Sequence, residues 1–342
     1  MALRYGITAG HSNRAMTIDS IPIAFIVTNA LIPLVNKYND LGGLDWRSRF
    51  CENADEMVSE HLLLNQDRMR PLGPHSTPRY VGVNKATYWE SVDAYGEAVG
   101  YDIEFQKYKK ESDWIDQMVM MTEMDVRNIR YQILKEMLNP QSPGRGFWNQ
   151  TFDPLDVITA PPTFGVNTFT GTHTHYNTTG AAALANLDVF ADAKQHIREH
   201  GNVNGNFDCI MNSSDVTTIE KLASWIGNNR ANISNSFTDN QFARGLDGEF
   251  NYMGINFITE DWMPAGYFVV LGGTNRSKPF KFHECQNPEY RGLLWLEGKN
   301  PGRPWLDSYV RRDFRVRTWN RWQGVVYQIS ANATYTAPTE YA

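Results

Sequence analysis

Residues 86–140 read ATYWESVDAYGEAVGYDIEFQKYKKESDWIDQMVMMTEMDVRNIRYQILKEMLNP, and a change of period inside this stretch decides the fold. In its first half Tyr101, Ile103 and Phe105 alternate with polar neighbours, and aromatic and β-branched residues recur from Tyr80 onward. A period of two predicts long, half-buried strands. From Glu111 the period becomes helical: Ile115, Met118, Val126, Ile129, Ile133 and Met137 share one face, with Thr122 filling the gap. Ser112 or Asp113 is available as N-cap and Pro140 ends the run. About 25 residues at about 1.5 Å each give a rod near 40 Å, longer than an ordinary globular helix. Its Met-rich stripe reads as packing surface.

The strands ahead of this helix have no adjacent sequence to cover both faces, because Pro71, Pro74 and Pro78 bound them on one side and the helix on the other. An isolated pair of strands is marginal in water. The excursion at about 66–106 is therefore expected to pack on another subunit. Upstream, the first 45 or so residues show little helical periodicity and are punctuated by Gly6, Gly10, Pro22, Pro33, Gly42 and Gly43; they read as an arm that needs a surface to lie against. The apolar run IPIAFIVTNALIPLV at 21–35 is shorter than a membrane span, is broken by Pro22, Asn29 and Pro33, and lacks the layout of a secretory signal. DWRSRFCENADEMVSEHLLL, residues 45–64, could hold a short helix.

Downstream, residues 140–180 are loop-rich and contain THTHYNTTG at 172–180. His173 and His175 point the same way on a strand, but with no Cys and no third His close in sequence they are expected on an exposed hairpin tip. A helix over about 182–200 is expected to bury Leu187, Phe190, Ala193 or Lys194, and Ile197. FDCIMN at 207–212 is a short apolar strand, Ser213 or Ser214 can cap a second helix that stops at Gly227, and MGINFITEDWMPAGYFVVLG at 253–272 gives two strands around a turn at Pro264–Gly266. Together these form an α/β unit. VRRDFRVRTWNRWQGVVYQISANATYTAP at 310–338 returns to alternating strands.

With 342 residues, 42% hydrophobic and 20% charged, the chain can bury a sizeable core. A net charge of -6 argues against a protein whose main task is gripping phosphate backbones. Three scattered cysteines, Cys51, Cys209 and Cys285, form neither a disulfide framework nor a zinc spacing. HIREH at 196–200 matches H-x-x-E-H, in which two histidines one turn apart hold zinc and the glutamate acts as general base. Here His196, Glu199 and His200 fall toward solvent in the last turn before Gly201, where cations favour the helix dipole, and Glu260 and Glu284 do not sit on a following helix that could supply a third ligand. Accordingly no catalytic, cofactor-binding or metal-binding residue is expected, and replacing His196 and His200 by Gln is expected to leave assembly unchanged.

The order of segments resembles the major capsid protein of tailed double-stranded DNA bacteriophages, a fold shared with encapsulin shells. ATYWESVDAYGEAVGYDIEFQKY followed by the long helix is similar to that family's extended loop leading into its spine helix. FDCIMNSSDVTTIEKL and MGINFITEDWMPAGYFVVLG resemble its axial domain, and DFRVRTWNRWQGVVYQISANATYTAP its terminal strands. The resemblance implies an α+β fold with an N-terminal arm (1–47), an extended β loop (48–107), a peripheral domain with the spine helix (108–180), an α/β axial domain (181–310) and C-terminal strands returning to the peripheral domain (311–342). It implies a non-enzymatic subunit with no cofactor. Such a subunit self-assembles into pentamers and hexamers of an icosahedral shell, enclosing double-stranded DNA without sequence-specific binding and without a membrane. The partners implied are further copies of the chain, a scaffolding protein or protease, a portal and a decoration protein, with assembly in the host cytoplasm and a final place in the virion capsid. No scaffolding helix precedes the arm, so a separate scaffold or a prior cleavage is expected. An encapsulin-type nanocompartment shell is the alternative, and a zinc hydrolase using His196, Glu199 and His200 a remote one.

Overall fold

A computed structural model describes residues 19, 26–40, 45–55, 57–63, 83–89, 91–102, 108–141, 146–151, 167–169, 171–184, 187–200, 207–220, 249–252, 254–273, 278–298 and 305–342. A π-helical turn, Val27–Leu31, runs into α1 (Ile32–Asp40), followed by α2 (Asp45–Phe50), β1 (Cys51–Asp55), β2 (Met57–Leu63), β3 (Val83–Trp89) and β4 (Asp93–Asp102). The long helix α3 (Glu111–Leu138) leads to β5 (Asn149–Thr151), β6 (Thr172–Thr174), β7 (Tyr176–Thr178), α4 (Asp188–Arg198), β8 (Phe207–Met211) and α5 (Ser213–Glu220). The rest of the described chain is mainly strand: β9 (Glu249–Tyr252), β10 (Ile255–Thr259), β11 (Tyr267–Gly272), β12 (Phe280–Glu284), β13 (Leu294–Gly298), β14 (Trp305–Thr318) and β15 (Gly324–Gln328). The tip of the extended loop, 64–82, lies outside the described residues, as does the end of the second axial helix from 221 on.

The chain divides into two compact units, the first made of Met1–Val58, Tyr88–Gln132 and Phe282–Val316, the second of Ser59–Thr87, Ile133–Lys281 and Arg317–Ala342. The first is built on the sheet β1-β12-β14-β13, with β4 also paired to β14. β4 runs antiparallel to β14 from Trp305↔Asp102 to Phe314↔Asp93. This corrects the reading of 66–106 as a single excursion awaiting a neighbour. Its last strand finds its partner within the chain, more than two hundred residues away, a pairing that local sequence cannot announce.

The N-terminal segment is a second correction. Residues 27–40 are helical, and Ile26, Leu31 and Val35 are buried with Trp114, Met118 and Met121 of α3 and with Leu293 and Val310. Pro33 does not end the helix: it sits two residues past the π-helical turn Val27–Leu31, and a widened turn of this kind is the deformation by which a helix accommodates a residue that cannot join its hydrogen-bond ladder. Helix α3 is 28 residues long, about 42 Å at the standard rise. Its cap also differs from expectation: the Asp113 carboxylate accepts from the Lys110 backbone N–H at 2.9 Å, reaching back to the helix start as the third residue of the first turn. The stripe that is buried runs through Trp114, Met118, Met121, Asp125, Ile129 and Ile133, one position N-terminal to the expected Ile115, Thr122 and Val126. An apolar-only pattern could not place Asp125 inside.

The second unit holds a six-stranded sheet in the order β7-β15-β11-β8-β10-β9. β8 is parallel to β10 and antiparallel to β11, so the two strands around Pro264–Gly266 do not pair with each other; β8 lies between them. FDCIM in β8 is buried throughout and YFVVLG in β11 nearly so, as expected for strands covered on both faces. Phe190, Ala193 and Ile197 of α4 and Val216 and Ile219 of α5 close over this sheet. The cap of α5 is Asn212, whose Oδ1 accepts from the Ser214 N–H at 2.9 Å, in place of Ser213 or Ser214. β15 lies beside β11, with Val326 opposite Val269. On its other side β15 runs parallel to β7, with Val326 opposite Tyr176, so this C-terminal strand joins the end of the 108–180 segment to the sheet of the α/β unit. β2 and β3 pair only with each other among the described residues.

Candidate functional site

The groups with the strongest chemical character that converge in the second unit are four histidines. His173 lies on β6, His175 in the bend between β6 and β7, His196 in the last turn of α4, and His200 just beyond it. One ring nitrogen from each comes within 4.8 Å of the others. The Nε2 atoms of His173, His175 and His200 form a triangle with sides of 2.8, 3.0 and 3.1 Å.

Each residue is positioned by a separate local cause. The bend at His175 is pinned by backbone hydrogen bonds: its N–H donates to the Trp148 carbonyl, and its own carbonyl accepts from Val326 of β15. β7 runs parallel to β15, which fixes the hairpin against the sheet. Helix α4 places Phe190, Ala193 and Ile197 on the sheet, and the 3.6-residue period then carries His196 and His200 along the neighbouring edge of the same face. The ring of Phe169 stacks on His200 with 4.6 Å between centroids and meets His173 edge-on, closing one side of the cluster with an apolar wall.

His175 is fully buried and His200 is 2% exposed, whereas His173 and His196 are half-buried. Burial lowers the pKa of all four, with the neighbouring imidazoles adding to the effect at His173, His175 and His200; His173 falls to about 4 and His200 to about 3. At neutral pH the four rings are uncharged and each keeps a lone pair. The tautomer of His175 follows from its partner: Nδ1 lies 2.6 Å from the Gly324 carbonyl, which can only accept, so Nδ1 carries the proton and Nε2 the lone pair. His196 Nε2 and His200 Nδ1 are buried with no hydrogen-bond partner.

Two expectations are corrected here. THTHY is not an exposed hairpin tip, and His196 and His200 do not face solvent; each pair of histidines meets the other, which is distant from it in sequence. Glu199 is not among the converging groups. Its carbonyl accepts from Asn167 at 3.3 Å, and its N–H continues the helix to Gln195. The sequence signal that finds this cluster is a combination: two of the chain's eight histidines at i, i+2 on a strand and two at i, i+4 on a helix, each a two-point chelator.

No protein-family profile matches the chain, and no curated protein matches it by sequence. Solved structures do match. One from Mycobacterium phage Patience has a TM-score of 0.63 at 17% identity, covering 95% of each chain. The capsid of an empty GTA particle has a TM-score of 0.50 at 10% identity over 83% of this chain and 89% of that one. The cyanophage Pam1 capsid has a TM-score of 0.50 at 11% identity over 82% and 86%. This chain has the major capsid protein fold of tailed bacteriophages, with helices and sheets mixed as an α+β fold.

Proposed function

We propose that this chain, with the fold of tailed-phage major capsid proteins, is the building subunit of an icosahedral shell, arranged as pentamers and hexamers around packaged double-stranded DNA. The observation that carries the reading is the extent of the structural likeness, 95% of both chains in one case, which leaves little of the molecule for a separate function. The role is structural rather than enzymatic. The net charge of -6 suits a container that must hold DNA without gripping it. Copies of the same chain are the principal partners; a scaffolding protein or protease, a portal and a decoration protein complete the particle, which is assembled in the host cytoplasm.

The division of labour follows the fold family in part: the β2–β3 portion of the extended loop reaches over a neighbour while the α/β unit forms the capsomer centre. The two-stranded sheet β2-β3 supports this, since a lone pair of strands is marginal in water and a neighbouring subunit would cover it. Replacing residues 57–89 with a short Gly/Ser linker spares β1 and β4, both members of the five-stranded sheet. The variant is expected to stay soluble with a cooperative melt near that of the wild type while closed particles disappear, because an element ordered at an interface contributes more to association than to subunit folding. Sedimentation velocity together with circular dichroism separates the outcomes. Intact particles from the variant, or global unfolding of the subunit, would count against the loop acting between subunits.

A further inference from the structure

The mutual contact of three ring nitrogens cannot be satisfied by hydrogen bonds alone. Each Nε2 presents either a proton or a lone pair, and among three atoms of two kinds at least one pair must be alike. At 2.8–3.1 Å that pair sets proton against proton or lone pair against lone pair. His175 narrows the choice, since its Nδ1 proton is committed to Gly324 and its Nε2 brings a lone pair. A cation at the centre removes the conflict, because all three nitrogens then turn lone pairs toward it. It would also give a role to His196, whose Nε2 is buried without a partner.

The dimensions agree. A triangle with sides of 2.8, 3.0 and 3.1 Å has its corners roughly 1.7 Å from its centre, so an ion about 1.1 Å out of that plane sits at about 2.0–2.1 Å from each nitrogen, the usual Zn–N distance. His196 is the remaining member of the group, all within 4.8 Å; nitrogens held by one zinc at about 2.0–2.1 Å are at most about 4.2 Å apart, so the group closes in slightly when the ion binds. Four imidazoles with no carboxylate and no thiolate disfavour magnesium and calcium, which take oxygen ligands, and suit a borderline divalent ion; four-coordinate nitrogen ligation points to zinc. The Nδ1–H of His175 bonded to a backbone carbonyl is the usual orienting contact of a metal-binding histidine.

We propose that His173, His175, His196 and His200 bind one Zn2+ per chain as a structural centre. With all four positions taken by protein ligands, no site remains for a water nucleophile, which separates it from a hydrolytic zinc site. The ion clips the β6–β7 bend to the end of α4, and through His175 to Gly324 at the start of β15, joining three segments distant in sequence. The binding free energy of such a site is folding free energy.

The test uses the full chain without an affinity tag, loaded with excess Zn2+ and passed over a desalting column. Elemental analysis is expected to find about one zinc per chain, and 1,10-phenanthroline to lower Tm by about 5–10 °C, reversed by added Zn2+. The variant His173→Gln/His196→Gln changes the two half-buried ligands; it is expected to hold under a tenth of the zinc and to melt where the chelated wild type does, with no further response to chelator. Substituting Co2+ in the wild type should give the intense visible bands of tetrahedral coordination, a readout independent of any variant's folding. A zinc-free wild type whose melt ignores both chelator and Zn2+, or a double variant that keeps its zinc, would overturn the proposal.

Discussion

Ile133→Asp is expected to leave the protein insoluble or unfolded. The side chain is fully buried on α3, and Ile129, Leu134, Met137 and Leu138 nearby are buried just as completely. An aspartate there either sheds its hydration unpaired or takes up a proton with a strongly raised pKa, and it also forfeits the apolar packing that isoleucine provides. Together these cost about 4 kcal/mol or more, a large fraction of the roughly 5–15 kcal/mol that holds a domain folded. Met124→Asp on the exposed side of the same helix is the matched control and should shift subunit stability by no more than about 0.5 kcal/mol. Soluble yield and urea titrations of the two variants decide the matter. A wild-type transition for Ile133→Asp would show that the buried face of α3 has been misassigned.

Asp125→Ala should cost the subunit about 3–5 kcal/mol, the usual effect of removing one partner of a buried ion pair. Asp125 Oδ2 lies 3.0 Å from Arg312 Nη1, with both side chains nearly inaccessible, and the Tyr38 hydroxyl donates to the same oxygen at 2.8 Å. Burial raises the Asp125 pKa, outweighing the Arg312 charge and the Tyr38 hydrogen bond that lower it. The pair is therefore costly to bury rather than a surplus of stability, and the damage from the single change comes from the guanidinium left behind. The double variant Asp125→Leu/Arg312→Met should accordingly lose less than Asp125→Ala alone, which urea melts of both can check. Equal or greater loss in the double variant would mean that the pair is favourable in its own right.

How far the sequence announces these features depends on the range of the interactions. Helix α3 is legible because its period is local, yet its phase comes out one position off at Asp125, whose burial depends on Arg312, far along the chain. The buried face of α4 is readable from Phe190, Ala193 and Ile197 alone. The helix at 27–40 is hidden by Pro33, which reads as a breaker but follows a π-helical turn that lets the helix continue past it. The strand at 93–102 reads as a strand, but its pairing with 305–314 does not, since no local pattern encodes a partner so distant. The histidine cluster escapes for the same reason. HTH and HIREH each hold two ligands, too few for a metal centre, and only the fold of the second unit brings the two pairs together.

The shell assignment meets its most direct test in electron microscopy of the purified full-length protein, screened over concentration and ionic strength and with the cognate scaffold where one is found. Rings of five and six subunits, or closed particles of uniform diameter with icosahedral symmetry, are predicted. A protein that stays monomeric or dimeric under every condition, or that forms only open filaments, would contradict the account.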